Sequence, residues 1–210
     1  MKKKIIIATF TLLFILTFSS GLSCSQATTK QSIIDNSHNI NVNQQKPQIK
    51  PDYIKVSEIT EWDIEISKYF VNEANDRNVL VFDEALPVIG VETGSTYDFN
   101  LVHYNINDTK DVGIFQINDI TKQDIVKQLK AEDREFNSWS RLNREFNISG
   151  GLCWMSYLKG KGLEGHELFT SYNYGINGAK NYASRNGTYV SRYSRDVIKA
   201  RNEINNVINK

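Results

Sequence analysis

Glu92 closes the apolar run Leu86-Pro87-Val88-Ile89-Gly90-Val91 and is followed at once by Thr93-Gly94-Ser95, a break in any helix. A carboxyl group at the end of a buried helix, facing a polar loop, is poorly solvated in its charged form. Its pKa rises, so it can hold a proton near neutral pH and deliver it to a leaving oxygen. The competing reading of such a Glu is a solvated cap residue or half of an ion pair. Nineteen positions later Asp111 opens the segment Asp111-Val112-Gly113-Ile114-Phe115-Gln116-Ile117-Asn118, preceded by the polar turn at residues 105–110. Asp111 offers a second carboxylate, able to stabilise a cation or activate water, but an Asp beside a polar turn also satisfies local backbone donors. Gln116 carries both an amide donor and an acceptor, and Tyr172 a hydroxyl. Taken singly, they read as a surface amide and a core aromatic.

Two further blocks follow in order, Asn147-Ile148-Ser149-Gly150-Gly151 and Ser171-Tyr172-Asn173-Tyr174-Gly175. Together the four blocks, spread over residues 81–197, resemble the lytic transglycosylase (SLT-type) family of the lysozyme superfamily. Its signature is a Glu followed by Ser or Thr, then Gly-Leu-Met-Gln or a variant, an Asn ahead of a Gly-containing helix, and Ala-Tyr-Asn-Ala-Gly. The chain departs from that pattern in three ways. The interval of 24 positions from Glu92 to Gln116 is longer than in many members, and no Ser within it is assignable to substrate positioning. Ser171 and Tyr174 stand where Ala is usual. The Asn-rich turn and Asp111 look closer to the subgroup associated with secretion and conjugation machinery, and to animal-type lysozymes.

The resemblance implies a lysozyme-like, mainly α-helical domain with a loop or small hairpin at the cleft, and peptidoglycan glycan strands as substrate. It implies cleavage of the β-1,4 bond after N-acetylmuramic acid, with Glu92 as acid and then base and a 1,6-anhydro ring in the product. Gln116 and Tyr172 belong to the cleft on this reading, with the Tyr172 hydroxyl on the catalytic carboxyl. Phe115 takes the place of the family's Met, either against sugar or in the core, and Asn173 bonds backbone near the site. Tyr193 is expected in the core, with the cleft as its alternative. Two other readings stand beside this one: a hydrolytic muramidase using Glu92 with Asp111, and a catalytically silent peptidoglycan-binding module. Retention of Glu92, Gln116 and Tyr172 together argues against the latter.

These side chains need a helical scaffold. Residues 61–75 carry Trp62, Ile66, Tyr69, Phe70 and Ala74 at helical spacing. The next helix covers residues 82–91, with Pro87 near its first turn or at a kink. Residues 94–112 mix turn formers with aromatics and predict the loop or hairpin of one cleft wall. Helices are expected over 121–135, over 144–159 with Phe146, Gly150, Cys153 and Tyr157 on one face, over 167–173, and over 191–209. In the last of these Tyr193, Val197, Ala200, Ile204 and Ile208 face inward. Gly150-Gly151 costs a helix roughly 1 kcal/mol per Gly against Ala, which predicts close backbone approach there.

Residues 1–23 combine Lys2-Lys3-Lys4, an apolar core and small polar residues, the pattern of a secretory signal too short to span a membrane. Leu22-Ser23-Cys24 resembles a lipoprotein cleavage site with Cys24 as the lipidated N-terminus, although Gly21 stands where Leu is usual; plain secretion after a cut near Ser23 is the alternative. Residues 24–52 read as a polar tether unable to bury enough apolar surface to fold, and 53–210 as one domain. Cys153 lies on an apolar segment, so a disulfide with Cys24 is not expected. A net charge of +1, from 25 basic and 24 acidic residues, gives no general attraction to nucleic acid. The basic cluster Arg185, Arg192, Arg195, Lys199 and Arg201 reads as a solvated face, or secondarily as a contact for anionic wall polymer. His38, His103 and His166 lack ligand spacing and no Gly-rich loop has phosphate-binding spacing, so no metal or other cofactor is expected. If Cys24 carries the lipid, Cys24→Ala moves the protein from the membrane fraction to the soluble one, because several acyl chains anchor firmly. Equal partitioning of both forms, with no acyl mass on the wild type, would leave simple secretion.

Overall fold

Four helices begin where the sequence supplies an oxygen for an otherwise unpaired backbone amide. Asp63 accepts from the Ile66 amide at 2.9 Å, Asn118 from Ile120 at 3.0 Å, Asn143 from Phe146 at 2.8 Å and Ser191 from Ser194 at 3.1 Å. Each such cap contributes about 1 kcal/mol. The protein is described by a computed structural model over residues 50–210. The signal peptide, Cys24 and nearly all of the tether lie outside the described residues.

Among those residues the order is α1 (Asp52–Thr60), α2 (Ile64–Asp76), a π-helical turn (Val81–Ala85), α3 (Leu86–Glu92), strands β1 (Val102–Tyr104), β2 (Lys110–Val112) and β3 (Ile117–Asn118), then α4 (Asp119–Ala131), α5 (Arg144–Gly160), α6 (Gly165–Asn186) and α7 (Arg192–Ile208). The strands form one antiparallel sheet in the order β1-β2-β3, with His103 opposite Asp111 and Asp111 opposite Asn118. The fold is mainly α, with the small hairpin expected from residues 94–112 extended by a third strand.

Several local readings are corrected. Helix α1 begins at Asp52, inside the segment read as tether, and Lys50 pairs with Glu58 at 2.7 Å. Trp62 precedes the Asp63 cap and so lies in the α1–α2 linker, not on a helical stripe. It is still core: its ring meets Phe70 and Phe99 at centroid separations of 5.6 and 4.9 Å. Pro87, in one of the two settings expected for it, falls in the first turn of α3, directly after the π-helical turn. On α5, Tyr157 does not join the buried face but stays 37% exposed. Helix α6 runs past Tyr174 to Asn186, broken at Gly175, whose φ of 71° and ψ of 163° are non-helical.

The core is organised around α5, which packs against α2, α4 and α6 and buries Ile148, Leu152, Met155 and Leu158 completely. Gly151 faces Phe115 so closely that an added Cβ would lie 2.0 Å from the ring. One turn earlier, the buried Asn147 donates to the Val112 and Arg141 carbonyls at 2.9 and 2.8 Å and accepts from the Phe115 amide at 3.1 Å. Gly113, at φ 77°, leaves room for that side chain; a Cβ there would meet the Asn147 amide nitrogen at 2.2 Å. Close approach, expected from Gly150-Gly151, is thus made to the loop that carries Gln116. Elsewhere Glu73, 4% exposed, pairs with Arg77 at 2.7 Å and with Arg134, tying α2 to the segment after α4. Burial pushes the Cys153 thiol up to about 12, leaving it an inert apolar filler.

Asn147→Ala removes three hydrogen bonds, two of them buried, and strands their partners, so it should lower unfolding free energy by about 2–4 kcal/mol. Gly151→Ala should cost about 1–3 kcal/mol by overpacking against Phe115. Gly160→Ala, with nothing near its added methyl, should be neutral or stabilising by up to about 1 kcal/mol. Urea denaturation of the three variants checks this ranking.

Candidate functional site

Helix α3 ends at Glu92 because Thr93 turns the chain back. The Thr93 hydroxyl donates to the Ile89 carbonyl at 2.8 Å and accepts from the Tyr97 amide at 3.1 Å, while the Ser95 amide reaches the Gly90 carbonyl at 2.7 Å. This closes the helix while leaving the carboxyl of Glu92 in the wall of a cavity of about 370 Å³. Helix α7 packs directly on α3, and from its first turn the Tyr193 hydroxyl donates to Glu92 Oε1 at 2.6 Å. Burial pushes the Glu92 carboxyl up to about 7; the Tyr193 hydrogen bond pulls the other way, and the charge of Asp111 adds to the rise. Burial also raises Tyr193 well above the usual phenol range, so it remains a hydroxyl donor.

Asp111, Phe115, Gln116, Tyr172 and Asn173 all line the same cavity as Glu92. Their individual contacts differ from the expectations. The Tyr172 hydroxyl donates to the Phe115 carbonyl at 2.8 Å, not to Glu92, and its ring lies parallel to that of Tyr193 at 6.4 Å. Phe115 is 1% exposed and its ring lies on Gly151, so its bulk belongs to the core. Asn173 stands exposed on the rim. Gln116 is 8% exposed and adopts φ 44°. Its Nε2 donates to the Gly113 carbonyl at 2.6 Å, and its Oε1 has no partner among the described residues.

Asp111 combines the two settings that the sequence left open. It faces the cavity, and it is also fixed by its neighbours: Asn105 Nδ2 donates to one carboxylate oxygen at 2.9 Å and Asn118 Nδ2 to the other at 2.6 Å. Both amides also reach the Thr109 hydroxyl, at 3.2 and 3.1 Å. The polar turn therefore holds the carboxylate in the sheet register in which Asp111 and Asn118 are paired.

Tyr193 packs against the core and also reaches the Glu92 carboxyl, so it takes both settings that the sequence left open. Its spacing with Val197 and Ile204 correctly turns it inward, but helical periodicity cannot say that the inward face meets a carboxyl instead of apolar side chains. Its place in the first turn of α7, within reach of the end of another helix, is visible only in three dimensions.

The model of the transglycosylase SLT domain family matches residues 72–193, which include Glu92, Gln116, Tyr172 and Tyr193. No curated protein and no solved structure matches the chain. With more than half of its length matched and its four blocks gathered about one cleft, the chain belongs to the transglycosylase SLT family, whose activity is of the lytic transglycosylase type and directed at peptidoglycan in the cell envelope.

Proposed function

We propose that the protein cleaves the β-1,4 bond between N-acetylmuramic acid and N-acetylglucosamine and closes a 1,6-anhydro ring on the muramic acid product. The observation that carries this reading is the Glu92 carboxyl, raised to about 7 by burial and held by the Tyr193 hydroxyl. Protonated Glu92 gives its proton to the bridging oxygen as the C1–O bond breaks, and the N-acetylglucosamine leaves as an alcohol. The substrate's own acetamido oxygen stabilises the anomeric carbon. The Glu92 carboxylate then takes the proton of the 6-hydroxyl as O6 bonds to C1, which restores the acid and consumes no water. One carboxyl group acts twice, in contrast to the two-carboxylate arrangement of most glycosidases.

Gln116, Tyr172 and Asn173 serve the cleft on this reading, Gln116 through its unpartnered Oε1 and Tyr172 through the Phe115 backbone. Asp111 supports the competing hydrolytic reading by its position in the cavity. Against that reading, each of its oxygens already accepts a side-chain amide, which favours a role in holding the turn. Lipid anchoring at Cys24, and association with secretion or conjugation machinery, rest on the sequence patterns alone.

Glu92→Gln keeps size but cannot deliver the proton, so solubilisation of sacculi should fall at least ~100-fold. Wild-type products should carry anhydro ends, lighter than reducing ends by one water, roughly 18 mass units, because no water enters. Asp111→Asn should lose some stability or turnover and leave the product unchanged. Predominantly reducing-end muropeptides, with Asp111→Asn nearly as impaired as Glu92→Gln, would establish hydrolysis instead.

The pH profile tests the role of Tyr193. The acid step needs protonated Glu92, so activity should fall as pH rises through about 7, the value to which burial pushes its carboxyl. The Tyr193 hydroxyl favours the carboxylate, and its loss in Tyr193→Phe should therefore move the alkaline limb to higher pH, by about 1 unit, together with a lower kcat. A limb that stays in place, or moves to lower pH, would deny the coupling.

A further inference from the structure

The three tryptophans of the chain have different surroundings. Trp62 is 8% exposed, and its Nε1 donates to the Tyr97 carbonyl at 2.9 Å. Trp139 packs edge-on against Phe136 and Phe146, with centroids 5.1 and 5.7 Å away. Trp154 instead lines the cavity that holds Glu92. It is partly exposed and is braced by Tyr157, with centroids 5.3 Å apart and planes 18° from parallel.

Tyr174 lines the same cavity and is 48% exposed. It too is braced, by Tyr182 at 5.8 Å and 14°. Residues eight apart on an unbroken α-helix are about 12 Å apart along its axis, so this stack exists only because α6 breaks at Gly175, the residue directly after Tyr174. The proposed acid–base chemistry uses neither ring, and Tyr174 stands where the family pattern has Ala. The cleft therefore carries two braced aromatic rings, one of them at a position where this chain departs from the family pattern.

A braced ring loses little freedom on binding, and an exposed aromatic face favours an apolar partner with polar groups at its edge. A pyranose ring has this form, with C–H groups on its face and hydroxyl or acetamido groups around its rim. The polar side chains of Thr121 and Asn173, which line the same cavity, provide for that rim. We propose that Trp154 and Tyr174 form an aromatic subsite that stacks pyranose rings of the glycan strand and thereby sets how strongly the cleft holds it. The inference rests on the reading of the cleft as a peptidoglycan glycan site.

Isothermal titration of the Glu92→Gln protein with peptide-free glycan strands from sacculi separates binding from cleavage. Added to that background, Trp154→Ala and Tyr174→Ala should each raise Kd about 5–10-fold, the scale of one aromatic stacking contact. Trp154→Phe, which keeps a ring, should recover most of the loss. In the active protein the same changes should raise KM more than they lower kcat. Because Tyr174 is half exposed, its replacement carries the test even if Trp154→Ala fails to fold. Tight binding by the parent with no change in either folded Ala variant would overturn the subsite and leave the cleft reading intact. A parent that binds no glycan strand would overturn both.

Discussion

The approach of Gly151 to Phe115 is the constraint on which the site depends. Helix α5 runs through the centre of the core, and the cleft loop is seated on it only because no methyl group intervenes. Once the Phe115 ring lies on that glycine, Asn147, one turn earlier on the same helix, is in reach of Val112 and of the Phe115 amide. The backbone from Val112 to Gln116 is then fixed by a helix as well as by its own turn, in which the Gln116 amide donates to the Gly113 carbonyl at 3.1 Å. That rigidity sustains a non-glycine residue at φ 44°, and it presents the Phe115 carbonyl to the Tyr172 hydroxyl on α6. Three separate blocks of sequence are joined by one packing contact and its polar consequences.

The electrostatics follow from the same packing. A carboxyl group at the end of α3 would titrate ordinarily if water reached it freely. With α7 against α3, and the stacked Tyr172 and Tyr193 rings beside it, the charged form loses hydration that a single phenol only partly replaces. The opposing contributions leave the proton poised near neutrality, where its donor and acceptor forms are both accessible. Asp111 contributes at longer range, and its own amide clamp keeps it from collapsing toward other partners in the cleft.

Much of this was legible in the sequence because the informative residues are local. An apolar helix stopped by Thr-Gly-Ser placed Glu92, turn formers placed the hairpin, and paired glycines announced a close approach at α5. The departures share one cause, the weakness of one-dimensional patterns for contacts between distant segments. Which tyrosine meets Glu92 is decided by how α7 crosses α3, and the inward stripe of α7 treats Tyr193 and Val197 alike. Trp154 reads as one more apolar residue in Leu-Cys-Trp-Met, since nothing in that string says that the cavity reaches it. Trp62 left its helix because a single Asp captured the following amide, a competition that periodicity overlooks. Helix α6 was read only as far as Gly175, because the glycine that interrupts it looks from the sequence like its end.

The hydrogen bond between Tyr193 and Glu92 spans 101 positions of the chain. A polypeptide emerging from a ribosome or a translocation channel presents α3 long before α7, and until α7 docks the carboxyl is hydrated and titrates as an ordinary glutamic acid, with little proton to give at neutral pH. In the vectorial order of synthesis the complete setting of Glu92 therefore exists only once α7 has been made. The buried, raised carboxyl is thus a property of the whole folded domain and of no shorter part of the chain.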